Sequence, residues 1–564
     1  MGAASSSVAP SSAPIPAVGA MIDAMPTGRF HALHLLRQIL LNACFAYVLE
    51  INPYIYPGMS VEFGINATKE TLFASAFAFG GIFGAGVSSL QDTFGRRRVI
   101  SFATGFSLAL AAALIPLPQF YAICTVRFFL GVAFLTMQYS FSTWFTEFLP
   151  TFNRGPLYAA LTAGYPVGRA LVIGASSVIP NEAWRVHFAL SAGALTIAFL
   201  ISAIIGESPR YLAVIGHHAE ARRRVHSIYR FNGTPLPYDS SVAAQLTWGH
   251  EGTGEVGTGE TTSKETSPLV GKAKGGGSTD AKPAVPASAR VAAQAASTDF
   301  FARVGALCAN PPPSLGFAIV LFMGLSIQQQ LIGNFGPRVF QRLIYPSDAV
   351  SVEDTHSAFP IPALLLFNFA DWLGILFSVM LIDRLGRRGF FTVGFSTAAV
   401  LWIALGLIGH YFDVTGYATP QSDPDRHALQ HTVLLVVTAL ASATRGFAPE
   451  AANLWVLETF ATDQRATCYA AVNMCYQITA SIAVPFGGWM VDHTGYEPTP
   501  LLIGYGTVQL VLGAFTCFLP NETVNKALKD ISSGGSAAEE SAPLKPPLRE
   551  DAKEAAAGAE SVLR

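Results

Sequence analysis

Leu90-Gln91-Asp92-Thr93-Phe94-Gly95-Arg96-Arg97-Arg98 is echoed later in the chain as Leu381-Ile382-Asp383-Arg384-Leu385-Gly386-Arg387-Arg388, with Asp92 and Asp383 291 residues apart. Each copy sits between two long apolar runs. Adjacent guanidinium groups do not lie in hydrocarbon, and a Gly three residues after an Asp suits a tight turn between helix ends. If the flanking runs cross a membrane, each copy is a short charged hinge on one side of it.

The composition supports that premise. Of 564 residues, 51% are hydrophobic and only 13% are charged, against about a quarter charged in soluble domains. The charges bunch together and leave long uncharged runs, the signature of a chain that crosses a membrane many times. A formal net charge of −2 gives no ground for a nucleic-acid partner. The six cysteines fall mostly inside apolar runs without paired spacing, so they read as small packing residues and not as a disulfide framework or metal site. No phosphate-cradling loop and no reactive constellation at an interface is present, so neither a cofactor nor an enzymatic reaction is expected.

A spanning helix needs about 20 largely apolar residues. Twelve such runs occur, at 33–55, 71–90, 98–117, 121–147, 157–179, 186–206, 315–342, 359–382, 389–410, 431–457, 467–491 and 500–519. The expected organisation is a disordered N-terminus (1–30), a six-helix bundle (31–206), a linker (207–313), a second six-helix bundle (314–520) and a disordered tail (521–564). The linker begins with a basic, helical stretch over 207–230 and continues as Gly-, Ser-, Thr- and Pro-rich sequence that cannot bury enough apolar surface to fold. Lys and Arg crowd one set of loops, so both termini and the linker are expected in the cytoplasm.

The repeat extends beyond the opening motif. Glu147 precedes Arg154 by seven residues at the end of the fourth run, and Glu458 precedes Arg465 by seven at the end of the tenth. Glu207-Ser208-Pro209-Arg210 follows the sixth run, and Asn521-Glu522-Thr523 follows the twelfth. Two similar half-shells are what alternating access requires, since they can rock around a central site.

These residues carry a resemblance to the major facilitator superfamily, and within it to the branch of sugar porters, organic-ion transporters and synaptic-vesicle-two-related proteins. The resemblance implies an all-α membrane protein, twelve transmembrane helices in two pseudo-symmetric six-helix bundles. It also implies a gate: Asp92, Arg96, Arg97, Glu147, Arg154 and Glu207 in the first half, mirrored by Asp383, Arg387, Arg388, Glu458, Arg465 and Glu522. Ion pairs among these groups are expected to clamp one face and separate when it opens. The chain departs from the family pattern at Ser88 and Val379, where Gly is usual, and at Thr93, where a basic residue is usual.

Charges inside the runs each cost about several kcal/mol unless paired or hydrated. Among them are Glu50, Arg127, Arg169, Asp371, Arg445 and Glu450. Glu50 and Asp371 resemble the proton-carrying positions of coupled relatives; the alternative is fixed pairing with Arg169, Arg445 or Arg127. Gln328-Gln329-Gln330-Leu331-Ile332-Gly333-Asn334 resembles the sugar-porter amide run but is one residue short before Asn334, a shift of about 100° on a helix. Asn453 and Trp455 replace the family's usual Trp spacing ahead of Glu458.

The expected solute site is therefore Glu50, Arg169, Gln329, Gln330, Asn334, Asp371, Arg445, Asn453 and Trp455, with Glu50 and Asp371 as proton-coupling groups. The expected function is secondary active transport of a small polar organic solute by a monomer in the lipid bilayer, with protons as an optional partner. Arg169 and Arg445 favour an organic ion or zwitterion over a hexose. A sugar or polyol porter stays open as the alternative, as does a receptor or vesicle protein that transports nothing.

Overall fold

A computed structural model describes residues 18–65, 67–236, 312–344, 361–417, 423–446, 448–460, 465–493, 497–519 and 523. Among the described residues the regular structure is helical. In the first half, span 1 joins helices Arg29–Glu50 and Asn52–Phe63 across Ile51. Span 2 is Ala67–Ser88, span 3 Arg96–Leu114 and span 4 Phe120–Thr146. Span 5 joins Arg154–Leu161 to Gly164–Val178, and span 6 is Arg185–Ile204.

In the second half, spans 7, 8 and 9 are Pro313–Ile344, Ile361–Leu381 and Gly386–Thr415. Span 10 joins Pro424–Ala443 to Ala448–Thr459 through a 3-10 turn. Spans 11 and 12 are Arg465–His493 and Pro498–Thr516. Ten of these twelve are long and apolar enough to cross a membrane on length and composition. The other two are spans 5 and 11, which occupy the same place in each half. Span 5 is interrupted near Thr162, and span 11 carries Tyr469, Asn473 and Gln477 along one side.

Within a half, the helices are drawn together by missing side chains. A Cβ at Gly80 of span 2 would stand 1.9 Å from the Phe128 carbonyl oxygen of span 4, and one at Gly131 would stand 2.1 Å from the Phe77 oxygen. Gly164 and Gly168 of span 5 meet the Ile39 and Ala43 carbonyls of span 1 in the same way, at 2.1 and 2.2 Å. In hydrocarbon no hydrophobic effect drives helix association, so such close packing has to supply it. Ser88 fits although a Gly was expected there: it is fully buried and turns its hydroxyl back to the Ala85 carbonyl at 2.7 Å.

The two motif turns lie at one end of the molecule, called here the charged face. Gly95 and Gly386 adopt φ of 91° and 73°, a region that side chains disfavour. Gly95 is also crowded, since a Cβ there would lie 2.5 Å from a Glu207 carboxylate oxygen.

From residue 18 onward the N-terminal segment corrects the expectation of disorder over 1–30, while residues 1–17 lie outside the described residues. Val18–Asp23 is helical, and Val18, Met21, Ile22 and Met25 are buried. Their three- and four-residue spacing is helical, but the stripe is short and adjoins an Ala-, Ser- and Pro-rich stretch. The basic linker forms helices Pro209–Val214 and His218–Asn232. The disorder expected for the rest of the linker and for the tail falls outside the described residues.

Close packing of spans 2 and 4 makes a prediction. Gly131→Leu should lower stability by about 1–3 kcal/mol through overpacking, read as a lower unfolding midpoint in detergent. Gly174→Ala, which meets nothing within 4 Å, should leave the midpoint unchanged.

Candidate solute cavity and gate

A cavity of about 270 Å³ lies between the halves. Spans 1, 2, 4 and 5 line it from one half and spans 7, 8, 10 and 11 from the other, while spans 3, 6, 9 and 12 contribute nothing. At its centre Arg169 donates to Glu50 at 2.9 Å and to Asp371 at 2.6 Å. Glu50 belongs to the same half as Arg169, whereas Asp371 belongs to the other. Both acids thus contact the same guanidinium. Arg127 lies behind the wall, donating to Asn52 at 2.8 Å and stacking 4.0 Å from the Phe73 ring centre. Arg445 lines the cavity as well, half-buried.

Gln329, Gln330, Asn334 and Asn453 also line the cavity. Asn334 is turned onto its own helix, donating to the Gln330 side chain at 3.0 Å, and Asn453 accepts the Tyr469 hydroxyl at 2.8 Å. Trp455 is a correction: it is fully buried in the core and does not reach the cavity. Two residues on a helix are about 200° apart, so Asn453 and Trp455 face opposite ways.

Several lining residues were not anticipated. Gln138 donates to the Tyr165 hydroxyl, and Gln477 donates across the halves to the Tyr139 hydroxyl at 2.8 Å. Tyr469, Asn473 and Tyr476 recur at helical spacing along span 11. That polar stripe was the available signal.

On the charged face, Arg96 holds Glu147 and Asp92, each at 2.9 Å. Arg387 repeats the arrangement with Glu458 at 3.1 Å and Asp383 at 2.6 Å. Glu207 caps the turn after span 2 by accepting the backbone amides of Arg96 and Arg97 at 3.0 and 3.2 Å. Burial raises its carboxyl above the ordinary value, against the pull of the Ser208 amide and Arg96.

The remaining arginines cross over. Arg154 of the first half reaches Glu458 of the second at 3.8 Å, and Arg465 of the second reaches Glu147 of the first at 3.9 Å. Asp92 also accepts the Thr467 backbone amide of span 11 at 3.2 Å. At the equivalent place Asp383 sits against Gly155 of span 5, where the next residue, Pro156, has no amide hydrogen to give.

Arg97 is exposed and contributes its amide, and Arg388 is exposed and donates to the Cys517 carbonyl of its own half. Both lie one position past a buried arginine and so point outward. Glu522 is outside the described residues, although the neighbouring Thr523 hydroxyl donates to Glu458 at 2.7 Å.

Comparisons with known proteins agree with this geometry. Residues 43–254 match the family model described as sugar (and other) transporter, and residues 318–550 match that of the major facilitator superfamily. The organic cation/carnitine transporter 7 of Arabidopsis thaliana is 28% identical over 192 residues, which is 33% of this chain and 37% of that protein's length. The arabinose-proton symporter of Bacillus subtilis (strain 168) is 22% identical over 488 residues, 83% of this chain and 87% of that one. The fold matches the solved structure of the proton:xylose symporter XylE bound to 6-bromo-6-deoxy-D-glucose with a TM-score of 0.58 at 15% identity, covering 88% of this chain and 98% of that chain.

The crossed pairs are testable with spin labels at Phe94 and Leu385, both exposed and in opposite halves. Glu458→Gln leaves Arg154 and Arg387 short of an acid and should shift the label distances towards a separated charged face. Arg97→Ala, which keeps the backbone amide that Glu207 accepts, should leave the distances as they are.

Proposed function

The chain belongs to the major facilitator superfamily, and on that premise we propose that this secondary transporter carries a small organic ion or zwitterion by alternating access. The observation that carries the reading is the charge balance of the cavity. Arg169 is committed to two acids by direct hydrogen bonds, while Arg445 presents a second guanidinium to the same space. A guanidinium facing a cavity can form charge-assisted hydrogen bonds with a carboxylate or similar anionic group, and a solute bearing such a group would pair with it. The amides of Gln329, Gln330 and Gln138 and the hydroxyls of Tyr165 and Tyr476 can orient its polar groups. The crossed ion pairs would close the charged face while the solute enters from the other side. By the distribution of Lys and Arg, the charged face is cytoplasmic.

A sugar or polyol porter is the second reading. The amide-rich wall and the match to the sugar-transporter model favour it.

Proton coupling, in this reading, runs through Asp371. It is the acid that ties Arg169 to the other half, so a proton on it loosens the halves as well as changing the charge. Glu50 shares a half with Arg169, and its protonation changes charge without cutting a cross-half link.

Uptake into proteoliposomes of matched solutes that differ only in charge, such as a hexose and its uronate, separates the two readings. The charged member should be taken up, and Arg445→Gln should abolish that uptake. Uptake of the neutral member alone, indifferent to Arg445→Gln, would establish the sugar porter. In the same vesicles Asp371→Asn should remove accumulation driven by an imposed proton gradient and spare exchange of solute across the membrane. Undiminished gradient-driven accumulation would remove the proton role from Asp371.

A further inference from the structure

We propose that Asp23, ahead of the first span, is the standing counterion of the gate arginine Arg154 and thereby sets how readily the charged face opens; this rests on the alternating-access reading above. The helix Val18–Asp23 is bound to the first half and its linker. The Tyr229 hydroxyl donates to the Met21 carbonyl at 2.8 Å, and Asn153 donates to the Thr27 hydroxyl at 2.8 Å. Asp23 is itself buried, and one of its carboxylate oxygens accepts from Arg154 at 2.8 Å, from Arg210 at 2.9 Å and from the Thr151 hydroxyl at 2.7 Å.

Arg154 therefore touches two carboxylates of different allegiance. Asp23 moves with Arg154, because each of these three partners lies in the first half or its linker. Glu458 belongs to the second half, where Arg387 already holds both of its oxygens at 3.1 Å. When the face opens, Glu458 departs with its half and Asp23 stays. A buried guanidinium abandoned by its only acid costs several kcal/mol. Asp23 removes that cost from the open state.

The same residue weakens the closed state. Two carboxylates on one guanidinium share its charge, so the pull between Arg154 and Glu458 is smaller while Asp23 is present. The longer 3.8 Å separation to Glu458, beside 2.8 Å to Asp23, fits that division. Arg465, in the equivalent place, is held by the neutral Leu457 and Phe460 carbonyls at 2.8 and 3.2 Å.

The direction of the effect separates this role from simple anchoring. With labels at Phe94 and Leu385, Asp23→Asn should raise the ratio of closed to open distances on the order of fivefold or more, the low end of coupling between sites. Asp23→Glu should restore the original ratio. In an Arg154→Gln background, Asp23→Asn should change nothing. An unchanged ratio in a folded Asp23→Asn protein, or a shift towards the open distances, would overturn the proposal, because loosening a mere anchor does not favour closure. If Asp23→Asn alone does not fold, the double variant Asp23→Asn/Arg154→Gln, which removes both charges, is compared with Arg154→Gln alone. Any difference in ratio between those two overturns the proposal, and equality supports it. If Glu458→Gln also fails to separate the face, the gate itself is misread; if Glu458→Gln opens it and Asp23→Asn does not close it, only the present inference fails.

Discussion

The two halves of this chain meet on one face through buried guanidinium groups, and the rest of the molecule is arranged to keep those groups paired. Arg96 and Arg387 are satisfied inside their own halves, each between a motif Asp and the Glu at the end of the fourth helix of that half. Arg154 and Arg465 reach across to the same two glutamates. Glu147 and Glu458 are therefore shared acids, each serving a fixed partner of its own half and a movable one from the other. The positive φ at Gly95 and Gly386 is what turns the chain tightly enough to set the motif arginine beside its acid.

The forces are divided by purpose. Inside a half, helices touch backbone to backbone at Gly80, Gly131, Gly164 and Gly168, and such contact has one well-packed arrangement. Between the halves, span 2 also packs closely on span 11, where a Cβ at Gly488 would stand 2.3 Å from the Thr71 side chain, but many contacts are ionic or hydrogen-bonded: the crossed arginines, Asp92 with Thr467, Arg169 with Asp371, and Gln477 with Tyr139. Pairs of this kind can exchange partners, including a solute, a proton or water. Rigid halves joined by exchangeable contacts are what rocking around a central cavity needs.

Much of this was legible in the chain. The apolar runs announce themselves because a membrane span needs length and few charges, and ten of the twelve helices pass on those grounds alone. Span 5 departs because it is interrupted near Thr162, and span 11 because it turns polar residues to the cavity, so its lower apolarity was itself a marker of the site. Glu50, Arg169, Asp371 and Arg445 stood out because charges are rare in hydrocarbon, and all four line one cavity. Trp455, two residues from the cavity-lining Asn453, lies on the opposite side of the helix and is buried in the core. The buried helix Val18–Asp23 was missed because its apolar stripe spans only two turns.

The sequence by itself determined the duplicated architecture, the charged hinges and the set of acids and bases that must find partners. Those follow from local rules: hydrophobic length, the cost of charge in hydrocarbon, and the turn geometry of a glycine. Tertiary structure alone decided who pairs with whom. Arg154 joins Glu458, not Glu147 seven residues before it, and Arg154 and Arg210 find Asp23 in a segment that looked unstructured. A chain's own order cannot reveal such choices, because they depend on which helix ends the packing of the two bundles brings within a few ångströms of one another.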